Sequence, residues 1–247
     1  MATVKPRKIK PYSGYSAKTA DRMLLDAGAF FVNYDPATDT YASAKKAGKC
    51  LGVTIKGGEF SAKPTLRRLE FDGVKTRTKG DTVVDGWEVY IKATLAEMTT
   101  QNFIYGLGIA DKGTDEKVVG YDVITGRDVI LDSDYIQNIT WVGCLLGEDK
   151  PCIIQVFNGF NENGLTLAIA DKDNGKVEAQ FYGNLSPEVY DSEDEIKPPF
   201  KIFRPTEKNG NNGNIGGIIM RKLSIKDAFT LARIIKKQTS KRKLQTL

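Results

Sequence analysis

The chain has 247 residues, 40% of them hydrophobic and 27% charged, which is enough for one sizeable core and too little for several. No stretch approaches the roughly 18 apolar residues of a membrane-spanning helix. The opening residues lack the apolar segment of a secretory leader, so a non-membrane protein made in the cytoplasm is expected. The net charge of +5 is unevenly placed: residues 1–10 carry four basic groups and residues 221–247 carry nine against one acid, which leaves −7 for residues 11–220. An acidic body with basic ends confines any affinity for phosphate to the termini.

The sequence contains no histidine. Ser-His-Asp and Cys-His machinery are thereby excluded, as are metal sites that use imidazole. Cys50, Cys144 and Cys152 are odd in number and spaced unlike zinc ligands. They are expected to be reduced and mostly buried.

In chain order, residues 1–28 read as a polar, basic arm. A first strand is expected over 29–34, a second over 50–56, then a turn at Gly57-Gly58 and a longer strand over 59–71. The strongest signal lies in 86–95. Trp87, Val89, Ile91, Ala93 and Leu95 alternate with Glu88, Tyr90, Lys92 and Thr94, the period of a strand with one buried face and one wet one. The connection from 71 to 83 is polar and longer than a hairpin requires, which points to a functional loop. Thr99 or Thr100 is placed to cap a short helix through Tyr105, with Phe103, Ile104 and Leu107 on its apolar side and Gly106 or Gly108 ending it. Residues 111–134 read as irregular. Strands resume over 135–146, 152–157, 164–170, Lys176–Tyr182 and 199–203, with a hairpin turn ending in Asn174-Gly175. Residues 207–217 have linker composition. From Ser224 an amphipathic helix is expected, with Ile225, Ala228, Phe229, Ala232 and Ile235 on one side and Lys226, Arg233, Lys236 and Lys237 off it.

Motifs for chemistry are sparse. Asp132-Ser133-Asp134 and Asp171-Lys172-Asp173 sit in turn contexts that favour Asp for its own backbone bonds. Residues 47–50 lack the upstream Gly and the Ser or Thr of a phosphate-binding loop, and Asn138-Ile139-Thr140 reads as a chance sequon. The aromatics Trp87, Tyr90, Trp141, Phe157, Phe181 and Tyr182 lie in the acidic part of the chain, mostly at core-like positions, so a nucleic-acid platform on the sheet is not expected. Neither an enzyme nor a cofactor or metal site is expected.

Four runs carry a resemblance: GGEFSAKPTLRRLEFDGVK at 57–75, VVDGWEVYIKATLAEMT at 83–99, YIQNITWVG at 135–143 and GLTLAIADKDNG at 164–175. With the order of strands, helix and final hairpin, they resemble the major tail tube proteins of bacteriophages of Gram-positive hosts, over somewhat more than half the chain. The resemblance implies a mainly β fold, a β-sandwich or half-barrel with one short flanking helix, over residues 29–204. It implies homo-hexameric rings stacked into a tube in the virion tail, assembled in the host cytoplasm. Tape measure, tail-terminating and baseplate proteins would be partners, and DNA would pass through without sequence-specific binding. Glu70, Asp72, Lys75, Arg77, Lys79 and Asp81 become candidates for ion pairs between rings. Glu88, Tyr90, Lys92 and Thr94 become candidates for an acidic wet lumen that DNA does not stick to. The extension at 205–247 is no part of that pattern. Two other readings stand beside it: the inner tube of a phage-derived contractile particle, and a nucleic-acid-binding β-sandwich that uses its basic termini.

Overall fold

A computed structural model of the chain describes residues 12–168, 175–192 and 195–206. The basic helix with Lys226, Arg233, Lys236 and Lys237, the linker before it, the Asp171–Asp173 pair and most of the N-terminal arm lie outside the described residues. The elements are β1 (Leu24–Val32), α1 (Tyr41–Lys46), β2 (Thr54–Arg68), β3 (Thr82–Leu95), α2 (Thr100–Leu107), β4 (Ala110–Gly113), β5 (Val123–Gly126), β6 (Ile136–Leu145), β7 (Cys152–Gly159), β8 (Leu167–Ala168), β9 (Lys176–Tyr182) and β10 (Phe200–Phe203).

All strand pairs are antiparallel. One sheet has the order β1-β6-β7-β10, a second β2-β3-β9-β8, and β4 pairs with β5 alone. The inward residues of the two larger sheets meet in one core. Phe30, Ile139, Trp141 and Val156 come from the first; Val89, Ile91, Ala93, Leu95, Val177, Ala179 and Phe181 come from the second. The fold is therefore mainly β, and its larger sheets form a sandwich. The period-2 alternation of β3 holds from Val89 onward, with every second side chain buried through Leu95. Trp87 breaks it: 42% exposed, it sits at the rim of the sandwich against the Phe200 ring at 5.9 Å.

Three departures from the sequence reading have local causes. β1 begins at Leu24, inside the expected arm, because a bulge between Leu25 and Ala29 breaks the alternation that would have marked it. Gly57-Gly58 is a bulge within one long strand and not a turn. Lys56 and Gly57 take positive φ (64° and 71°), and the register with β3 shifts between Thr54 and Gly58. Gly58 is needed there because a Cβ would run into the Lys92 carbonyl and the Phe30 ring. The stretch read as irregular contains the β4–β5 hairpin, whose polar residues Asp111 and Lys112 carry no strand pattern.

The helix α2 is capped as expected: Thr99 Oγ1 accepts the Asn102 N–H at 3.1 Å, and Gly108 closes it at φ 78°. Its anchor is polar. Buried Asn102 donates through Nδ2 to the Leu51 carbonyl at 2.9 Å and the Glu97 carbonyl at 2.8 Å, while Phe103, Ile104 and Leu107 are only half-buried. On the far side of the first sheet, α1 and the loop before it cover Phe31, Val142 and Ile153. Asn138, Thr140 and Gln155 clamp that loop. Asn138 Oδ1 accepts the Tyr34 N–H at 3.0 Å, and Gln155 Nε2 donates to the Tyr34 carbonyl at 2.8 Å. The Asn-Ile-Thr sequon is thus interior. The cysteines are free as expected but not mostly buried: Cys144 is exposed, the other two half-buried.

Candidate assembly surfaces

The β2–β3 hairpin is longer than the sandwich that holds it. β9 pairs with β3 only from Tyr90 to Leu95, whereas β2 and β3 remain paired to Arg68 and Thr82. The outer half, residues 63–68 with 82–88, is a two-stranded arm, a form marginal by itself in water. Its cross-strand pairs include Leu66 with Val84 and Pro64 with Trp87, and Leu66, Val84 and Trp87 are all exposed. Phe71 and Val74 add exposed apolar surface at the tip. Trp87 reads as core in the sequence because it is in phase with the buried residues of β3. Contiguous exposed apolar surface is characteristic of an interaction site.

The polar tip residues separate into two groups. Glu70, Asp72, Lys75, Arg77 and Lys79 are exposed. Asp81 is not: it is 7% exposed and organises the loop from within. Its Oδ2 accepts the Thr78 N–H at 2.9 Å and pairs with Arg68 Nε at 3.3 Å, while Arg68 Nη2 donates to the Thr76 carbonyl at 2.8 Å. Asp81 therefore leaves the set of candidate inter-ring groups and becomes the reason the tip has a shape. Arg67 Nε, 3.0 Å from Asp85 Oδ2, braces the arm below it.

The Thr78 N–H and then the Arg68 guanidinium hold the Asp81 carboxyl below its usual range. A carboxyl depressed in the folded state contributes stability fully above its unfolded pKa near 3.8 and loses it as pH falls through the folded value. Protection of the Thr78 amide from hydrogen exchange is therefore expected to be constant above about pH 5 and to fall below about pH 4. In Asp81→Asn it should be low throughout. A wild-type profile flat to pH 2 would contradict this role.

Glu88, Tyr90, Lys92 and Thr94 do share the outer face of the second sheet. Register sets Glu59, Lys92 and Gln180 in one row and Ser61, Tyr90 and Tyr182 in the next. Tyr90 OH donates to Glu59 Oε1 at 2.9 Å, Lys92 Nζ lies 2.8 Å from Glu178 Oε2, and the Tyr90 and Tyr182 rings stand 5.8 Å apart. The hydrogen bond between Lys92 and Glu178 raises the lysine pKa and lowers the carboxyl's. Glu59, Glu88 and Glu178 are offset on this face by Lys63, Lys92 and Lys176, so the expected acidic face is a balanced one. Phe181 and Trp141 are core aromatics as read; Tyr90, Tyr182, Trp87 and Phe157 are not.

Among the described residues β2, the two-residue β8 and β10 are end strands of the larger sheets, as is β1, partly covered by Lys49 and Leu51, which bond to Val32 and Phe30. β2 carries Lys63, Pro64 and a bulge, which discourage indiscriminate strand pairing. Ile202 and Phe203 of β10 are exposed.

Past the other end of β3, residues 109–135 form an excursion built on Arg127. Its Nε lies 2.8 Å from Asp111 Oδ1, its Nη2 pairs with the Asp134 carboxylate, and its Nη1 donates to the Val129 carbonyl at 2.9 Å. Asp134 is thus structural, as its turn context implied. Asp122 accepts from Thr100 Oγ1 at 2.7 Å and pairs with Lys112 at 2.9 Å. Val118, Val119 and Tyr121 stand exposed at the end of this excursion. Among the described residues no three His, Cys, Asp or Glu side chains converge as metal ligands, and no helix is long and apolar enough to cross a membrane. No protein-family model matches the chain, and no curated protein is significantly similar to it.

Proposed function

We propose that the chain is a self-assembling structural subunit of the phage tail-tube type, closing into sixfold rings that stack into a conduit for DNA. The observation that carries this reading is the β2–β3 arm, which extends beyond the sandwich with Leu66, Val84, Phe71 and Val74 exposed and Trp87 only partly covered by Phe200. A monomer gains nothing from that exposure, and a neighbouring subunit would cover it. The open edges at β2 and β10 support lateral joining, because ring closure satisfies edges that otherwise invite uncontrolled pairing. The outer face of the second sheet suits a lumen. It is wet, its acids and lysines are equal in number and Lys92 is paired with Glu178, so it offers a passing phosphate backbone little to hold. Tape measure, tail-terminating and baseplate proteins are the partners such a tube would have in a virion. A contractile particle's inner tube would use the same surfaces.

The purified, nuclease-treated protein is expected to form hollow tubes or sixfold rings in negative-stain electron microscopy as its concentration is raised. A chain that stays monomeric throughout, and binds DNA with an affinity falling steeply with salt, would overturn this reading in favour of a nucleic-acid-binding protein.

A further inference from the structure

We propose that the outer face of the first sheet carries a binding groove for an uncharged carbohydrate, an inference that does not depend on the assembly reading. The groove encloses about 700 Å³, the size of a small-ligand site. Asn138 of β6 with Gln155 and Phe157 of β7 forms its floor. Loop residues 33–37 stand on one side, and Lys201 and Phe203 of β10 on the other. The chain enters that loop from β1 through Asn33, at φ 52°. Register sets Lys201 beside Gln155 and Phe157 beside Asn138, so three neighbouring strands hold the floor and one bank. This groove and the wet face of the second sheet lie on opposite sides of the sandwich.

The two floor amides are fixed by the Tyr34 backbone. Asn138 Oδ1 accepts from the Tyr34 N–H and the Thr140 hydroxyl, and Gln155 Nε2 donates to the Tyr34 carbonyl and Thr140 Oγ1. Those bonds allow each amide one orientation. They leave Asn138 Nδ2, a donor, and Gln155 Oε1, an acceptor, for the groove. Neither atom has a hydrogen-bond partner among the described residues, and neither is sealed from the groove, although Asn138 is 9% and Gln155 3% exposed. Polar atoms in such positions are nearly always bonded, so a preset donor and acceptor describe what they take: a ligand that accepts at one point and donates close by. Hydroxyl groups do both. Diagonal neighbours on adjacent strands stand about 7 Å apart at Cβ, and both side chains reach toward Tyr34, so adjacent hydroxyls of one sugar ring fall within their span. Phe157 and the 40% exposed Phe203 offer apolar surface to the ring's C–H groups. Lys201 Nζ, 5.4 Å from the Phe157 ring centre, adds a further donor. Lys201 and Asp35 are the charged lining residues, one of each sign, which gives no net attraction to a phosphate or a carboxylate.

The test is titration calorimetry of the full chain with maltotriose, cellotriose, mannotriose and chitotriose, and with an end-blocked trialanine peptide. At least one trisaccharide is expected to bind with a Kd in the millimolar range or below, and the peptide to give no signal. Asn138→Asp keeps the acceptor for the Tyr34 N–H and replaces the outward donor, so it should weaken that binding by about tenfold or more. Phe203→Ala removes exposed apolar surface away from the clamp and should weaken it by about threefold or more. It keeps the test decisive if circular dichroism shows Asn138→Asp to be unfolded. Absence of binding by all four trisaccharides at millimolar concentration would overturn the groove's assignment. So would wild-type affinity in either folded variant, or a peptide that binds as tightly as the sugars. A chain that binds sugar but never forms tubes would overturn the assembly reading alone.

Discussion

Arg127→Leu is expected to destabilise the protein by about 3–5 kcal/mol, the cost of removing one partner from a buried ion pair. Its side chain is 17% exposed and the Asp134 side chain 7%, so the carboxylate left behind cannot recover its hydration. Only the Leu131 N–H, 2.8 Å from Asp134 Oδ2, would still serve it. Asp111, over half exposed, can turn to solvent and adds little. The Val129 carbonyl loses its donor as well. The charge, not the packing, accounts for the loss, so Arg127→Leu combined with Asp134→Leu should recover much of it. Equilibrium urea unfolding with amide exchange over residues 109–135 measures both effects. A single-variant loss below about 1 kcal/mol, the range of solvated surface pairs, would mean the network is wet and not structural.

Replacing residues 70–80 by Asn-Gly is expected to abolish tube formation while leaving the sandwich folded. Leu69 N–H already donates to the Asp81 carbonyl at 2.7 Å, so a two-residue turn of the type Asn-Gly favours can close the ladder there. Shortening the loop from eleven residues to two lowers its closure cost by about 1.5 kcal/mol, which offsets the loss of the Thr78 N–H to Asp81 and of the Thr76 carbonyl to Arg68, so the thermal midpoint should hold within a few degrees. Assembly should nevertheless fail, because Phe71, Val74, Lys75, Arg77 and Lys79 go together. Tubes of normal appearance from this variant would show the tip to be dispensable. Collapse of the sandwich would show the tip to be part of the fold and not an arm.

The strands whose one face is core and whose other face is wet were legible, because burial writes itself into every second residue: β3 from Val89 to Leu95, and β9 over its whole length. Legibility failed where a residue's role depends on a distant partner. Gly57-Gly58 has the composition of a turn, and only the Phe30 ring and the β3 carbonyls facing it make it a bulge. Asp81 is one acid among several in a polar loop until Arg68 and the Thr78 amide enclose it. Asn102 anchors α2 through carbonyls from two other segments, and no helical period announces that. The assembly surfaces were half visible. Charged residues in a long loop suggest a contact, but Trp87 falls in phase with the buried residues Val89 to Leu95 and so looks like core, while the register shift that sets Val84 opposite Leu66 leaves no mark in the sequence. What marks them as surface is that β9 stops pairing at Tyr90, a fact of topology and not of local sequence.

β3 is at once the central strand of the wet-faced sheet and half of the projecting arm, with no break between the two roles. A pull on the hairpin tip along its axis is therefore delivered into the sandwich by both strands of the arm, and β3 passes it on to β9. Because antiparallel ladder bonds run across the strand direction, such a pull loads the β3–β9 bonds together in shear, and none can peel open ahead of the rest. Pulling the sheet apart sideways, edge strand first, would meet them one at a time. The molecule is mechanically anisotropic, and its stiff direction is the one along which the arm reaches out.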